Sequence, residues 1–121
     1  MAEPVLISIV EDDPAIRKSL ERLLKSVGFR VQAFAAAEDF LQSGDQPNTA
    51  CIILDLKLPG LNGLELQRRL AAEPRYMPII FVSAHDDTEV RNLALAMGAV
   101  AFLGKPFNED DLLNAVHSVL K

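Results

Sequence analysis

Val5-Leu6-Ile7-Ser8-Ile9-Val10-Glu11-Asp12-Asp13-Pro14 decides the fold. A run suited to a buried strand meets three acids, and the third acid is followed by proline. Asp13 is placed to cap a helix that begins at Pro14, because aspartate accepts orphan N–H bonds and proline tolerates the first helical position. Ile16, Leu20, Leu23, Leu24 and Val27 then recur at helical spacing, and Gly28 is placed to stop the helix. A strand that ends in reactive groups and turns directly into a helix is one β/α unit.

The same punctuation recurs downstream. Cys51 to Leu54 ends in Asp55, Ile79 to Val82 ends in Ser83, and Val100 to Leu103 runs through Gly104 into Lys105-Pro106. Phe29 to Phe34 is a weaker, alternating strand that suits a sheet edge. Further helices are predicted over Glu38 to Gln42, Leu64 to Ala72, Asp87 to Met97 (closed by Gly98) and from Asn108 onward. The last carries Leu112, Leu113, Val116, Val119 and Leu120 on one face. Residues 43–48 and 58–63 read as loops rich in turn formers.

Five such units in 121 residues, with no linker or repeat, predict a single domain over 1–121. The strands that begin at Val5, Cys51 and Ile79 are apolar rather than alternating, which favours a parallel sheet covered on both faces. Right-handed crossovers make it a doubly wound five-stranded α/β sheet. Among the orders this class allows, 2-1-3-4-5 places the first and third strands side by side and so gathers the acids. The C-terminal ends of the strands then share one edge, where open α/β sheets bind ligands.

Composition narrows the function. Net charge is −5 and no Lys/Arg block exceeds two residues, so direct nucleic-acid binding by this segment is not expected. No apolar stretch approaches the roughly 18 residues of a membrane span. Met1-Ala2-Glu3-Pro4 lacks the basic region of a secretory signal, and the lone Cys51 excludes an intrachain disulfide. A reducing, cytoplasmic setting is expected. Arg17, Lys18, Arg22 and Lys25 give the first helix a basic side that reads as a solvated face. Glu109, Asp110 and Asp111 complement the dipole of the last helix.

Adjacent strands lie about 4.8 Å apart, which puts Glu11 and Asp12 beside Asp55. Two carboxylates about 4 Å apart repel by roughly 4 kcal/mol at an effective dielectric near 20. Such a cluster calls for a cation, and Mg²⁺ suits it because that ion prefers a few carboxylates with retained waters and phosphate oxygens. Lys105 adds a second positive charge. Acids, one metal and one lysine suit a site that receives a phosphoryl group, and no Gly-rich phosphate cradle is present. Asp55, at the end of the central apolar strand, is the best acceptor, since aspartyl phosphates are established covalent intermediates.

Glu11-Asp12-Asp13, Leu54-Asp55-Leu56-Lys57-Leu58-Pro59-Gly60 with Asn62-Gly63, Val82-Ser83-Ala84-His85, and Gly98 through Phe107 occur in that order at the strand ends. Together they make the whole chain resemble a bacterial response-regulator receiver domain, flavodoxin/CheY-like in fold and closest in flavour to the FixJ type. The resemblance implies Asp55 as phosphoacceptor and Mg²⁺ or Mn²⁺ as cofactor. It implies Asp12, Asp55 and the backbone carbonyl of Lys57 as metal ligands, with Glu11 acting through water. It makes Ser83 and Phe102 the switch pair and Lys105 the catalytic lysine, with the Lys105–Pro106 bond cis. The implied donor is a histidine kinase or phosphotransfer domain, and a homodimer on phosphorylation is compatible with it. The FixJ flavour leans towards a transcriptional output in a longer protein; a single-domain regulator with a separate output partner stays equally open. The chain would then be a phosphoacceptor rather than a turnover enzyme. Glu11 stands where aspartate is commoner, and Phe102 where tyrosine is frequent, which removes a phenolic hydroxyl from the switch. Lys57 and His85 are expected at the mouth of the cleft.

Two other readings of the same residues stay open. An aspartate-nucleophile, Mg²⁺-dependent phosphohydrolase would share the acyl phosphate. It would want a second aspartate two residues after the first, where this chain has Lys57, and a cap that no insertion is long enough to supply. An interaction module independent of phosphorylation would have no use for the acidic cluster.

Overall fold

A central strand buried on both faces organises the molecule. In the computed structural model, which describes residues 5–44, 46–73, 76–84 and 88–120, β3 (Thr49–Asp55) turns Cys51 and Ile53 to one face and Ile52 and Leu54 to the other. All four are fully buried, because each face is covered by helices. This is why the strand reads as a continuous apolar run. Flanking it are β1 (Leu6–Val10) and β4 (Ile79–Ser83), with β2 (Arg30–Phe34) and β5 (Ala101–Gly104) at the edges. All pairings are parallel and the order is 2-1-3-4-5, as the sequence predicts.

Helices α1 (Pro14–Ser26) and α5 (Glu109–Val119) cover one face, placing Leu20, Leu24, Leu112 and Val116 against Ile7, Ile9 and Ile53. Helices α2 (Ala37–Gln42), α3 (Gly63–Ala71) and α4 (Thr88–Ala96) cover the other, where Phe40, Leu66, Leu70 and Ala94 meet Ile52, Leu54 and Phe81. Each large side chain so enclosed contributes about 1.5–3 kcal/mol. Cys51 belongs to the first core, and burial pushes its thiol up to about 12, leaving it a packing residue.

Several boundaries differ from the sequence reading. β3 begins at Thr49 rather than Cys51, and Thr49 is buried. Its hydroxyl lies 2.7 Å from that of Ser8 across the sheet, so two polar groups satisfy each other inside the ladder. β3 also takes in Asp55, whose backbone pairs with Val82. A short 3₁₀ turn, Gln46–Asn48, occupies part of the predicted 43–48 loop. β5 starts at Ala101, one residue late, and runs to Gly104. Gly28 and Gly98 follow α1 and α4 with φ of 98° and 105°. Asp87, predicted to open the fourth helix, lies outside the described residues. Among the described residues, no helix is long and apolar enough to cross a membrane.

Candidate functional site

The β1–α1 corner is built from local contacts. Asp13 Oδ1 accepts the Ala15 N–H at 2.8 Å and the Ile16 N–H at 3.2 Å, which caps α1. The Asp13 N–H in turn donates to Glu11 Oε2 at 3.1 Å. Arg17, one turn into the helix, donates to the Glu11 carbonyl at 2.9 Å. Arg17 is therefore not part of a solvated basic face, whereas Lys18, Arg22 and Lys25 are exposed. Its place one turn beyond the acids was the available signal. The corner buries Glu11, at 1% exposure, and leaves Asp12 exposed.

Asp55 ends β3 on the neighbouring strand, and is buried. Its Oδ1 accepts the Lys57 N–H at 3.3 Å. Gly63 opens α3 tightly against this strand end: a Cβ there would lie 2.6 Å from the Asp55 carbonyl oxygen and 3.1 Å from the Phe81 ring. Lys105 reaches in from β5, with Nζ 2.6 Å from Glu11 Oε1 and 3.5 Å from Asp55 Oδ1. Ser83 ends β4, is buried, and its carbonyl accepts the Lys105 N–H at 2.8 Å. The Lys105–Pro106 bond is cis.

Glu11, Asp12, Asp55, Ser83 and Lys105 thus share the C-terminal edge of the sheet. Phe102 sits lower on β5, half-buried, with its ring 5.9 Å from that of Phe81. The Lys57 side chain is exposed. His85 lies outside the described residues.

Burial pushes the Asp55 carboxyl up to about 7; the Glu11 charge and a hydrogen bond with Glu11 add to the rise, and Lys105 and the Lys57 N–H oppose it. One lysine does not neutralise the acids. Glu11, Asp12 and Asp55 each offer a carboxylate oxygen, all within 4.8 Å of one another. Opposite ligands of octahedral Mg²⁺ stand about 4.2 Å apart. The trio could hold such an ion.

A family model described as response regulator receiver domain matches residues 7–117. The chain is 42% identical over 116 residues to the response regulator protein TmoT of Ectopseudomonas mendocina, covering 96% of this chain and 53% of that protein. It is 37% identical over 115 residues to the transcriptional regulatory protein FixJ of Bradyrhizobium diazoefficiens, covering 95% and 56%. It therefore spans about half the length of these curated relatives. Among solved structures, a response regulator receiver protein from Burkholderia phymatum superposes with a TM-score of 0.82 at 42% identity, covering 97% of this chain and 94% of that one.

Proposed function

The chain belongs to the response regulator receiver family, and from that premise we propose that it accepts a phosphoryl group on Asp55 from a phosphohistidine of a histidine kinase or phosphotransfer domain. The observation that carries this reading is the convergence of Glu11, Asp12 and Lys105 on a buried aspartate at a strand end. Bound Mg²⁺ or Mn²⁺, held by Asp12, Asp55 and the Lys57 carbonyl with Glu11 through water, would neutralise the incoming phosphoryl oxygens.

An Asp55 carboxylate oxygen forms the new O–P bond as the P–N bond breaks, and the departing imidazole keeps the electron pair. Asp55 must be deprotonated to attack, and a bound cation together with Lys105 would favour the carboxylate against the burial that opposes it. Lys105 turns from Glu11 and Asp55 to a phosphoryl oxygen, and the Ser83 hydroxyl donates to another. The loop after β4 shifts with Ser83, and Phe102 repositions into the space vacated. The surface of α4, β5 and α5 then changes its affinity for partners, a two-state equilibrium biased by one local charge. The domain signals by accumulating the acyl phosphate rather than by turnover. The half-length match to a transcriptional regulatory protein supports transcription as the output where the chain is part of a longer protein.

Incubation with acetyl phosphate and Mg²⁺, read by intact mass, tests the acceptor. The wild type should gain one phosphoryl group and Asp55→Asn none. An Asp55→Asn variant that labels as well as wild type overturns the assignment. Ser83→Ala should still label, but should lose the phosphorylation-dependent change in partner binding.

A further inference from the structure

Helix α2 starts without a side-chain cap, because Ala36 precedes it. Glu38 stands in its first turn, and its carboxylate meets both its own backbone N–H and the loop that follows Asp55. Oε2 accepts the N–H of Leu61 at 3.1 Å, a contact between residues 23 positions apart. The Glu38 carboxyl is held below the usual range by its own backbone N–H and by that of Leu61. Gly60, next to Leu61, has φ 72°, and a Cβ on it would lie 2.5 Å from the same Glu38 oxygen. The loop therefore seats on Glu38 with a donor on one residue and a missing side chain on the next.

The segment so held runs from Leu56 to Asn62 and contains Lys57. Its other ties include the Lys57 N–H on Asp55, the Leu56 N–H on the Val82 carbonyl and the Gly63 N–H on the Leu56 carbonyl at its base, the Asn62 cap of α3 at its end, and the buried Leu58 side chain. Glu38 holds the far side. We propose that Glu38 is a positioning residue for the cation, fixing this loop in the shape that presents the Lys57 carbonyl. The inference rests on the Mg²⁺ site of the proposed function. Glu38 acts through Leu61 and touches neither the acids nor the phosphoryl group. A released loop presents the carbonyl only part of the time, and apparent affinity falls by that fraction.

Mg²⁺ titration by calorimetry, with hydrogen exchange of the Leu61 amide measured in chelator, tests this on wild type, Glu38→Ala and Glu38→Gln. The alanine variant should bind Mg²⁺ about threefold to tenfold more weakly and lose Leu61 protection. Glu38→Gln keeps an acceptor and should recover most of both, which loss of a distant charge would not allow. Glu38→Ala binding Mg²⁺ as tightly as wild type overturns the proposal, as does an equal loss in both variants. A wild type that takes no Mg²⁺ instead overturns the functional reading, and the metal role of Glu38 with it.

Discussion

The two corners that enclose the acidic cleft are built differently. The β1–α1 corner is tied largely by local contacts: Asp13 caps its own helix, the Asp13 N–H holds Glu11, and Arg17 holds the Glu11 carbonyl, all within the seven residues 11–17. The β3–α3 corner depends on distant groups. Gly63 must lack a side chain to lie on Asp55 and Phe81, and Leu61 is tied to Glu38 on another helix. The capping bonds of the first corner are local, although the Glu11 N–H also donates to the Phe34 carbonyl of β2. The second needs the sheet and α2 in place. One corner presents buried charge, and the other carries the loop expected to adjust to a cation.

Lys105 joins the corners, so its loss should produce the largest effect. Lys105→Met leaves Glu11, at 1% exposure, beside Asp55 with no cation. Breaking a buried pair from one side costs about 3 kcal/mol. Chemical denaturation in chelator at neutral pH should show that loss, and a variant as stable as wild type would mean the corners are independent.

Gly63→Ala separates them. The new methyl meets backbone at 2.6 Å, which no flexible side chain can relieve. A cost of about 2 kcal/mol is expected from overpacking. Backbone amide shifts should change around Asp55 and Leu56 and stay unchanged around Asp13 and Ala15. Shifts spread evenly over both corners would remove the distinction.

Asp55→Asn tests the charge balance between them. The Asp55 carboxyl is raised from 3.8 to about 7, chiefly by burial. Between those values the folded protein holds a proton that the unfolded chain has released, so this group's contribution falls as pH rises and is lost above about 7. The asparagine variant has no such loss. Without divalent cations it should exceed wild type at pH 8 by about 1–2 kcal/mol and converge with it near pH 4. Mg²⁺ should raise the melting temperature of wild type and leave the variant unmoved.

The difference between the corners also explains what the sequence could disclose. Asp13-Pro14 announced its cap because capping is local chemistry. The strand order was legible because Glu11, Asp12 and Asp55 make sense only on adjacent strands. Thr49 was missed because apolarity marks strands, whereas Thr49 earns its buried place through Ser8 on the next strand. Arg17 was read by its charge, but its role is set by two carbonyls near its own helix start. Glu38 gave no signal, since nothing in sequence spacing links it to Leu61.

Asp13→Ala gives the smallest effect and probes the self-contained corner directly. Asp13 Oδ1 serves two first-turn N–H groups of α1, and loss of such a cap costs about 1 kcal/mol. The Asp13 N–H that holds Glu11 is backbone and survives the substitution, as does the Arg17 bond to the Glu11 carbonyl. Stability measured by urea denaturation should therefore fall while Mg²⁺ affinity changes by less than about twofold. Glu38→Ala should do the reverse, because Glu38 is exposed and its tie is to the backbone of the cation loop rather than to a helix cap. A large loss of Mg²⁺ affinity in Asp13→Ala would mean that the cap positions Asp12 as well as the helix, and that the first corner is as much a part of the metal site as the second.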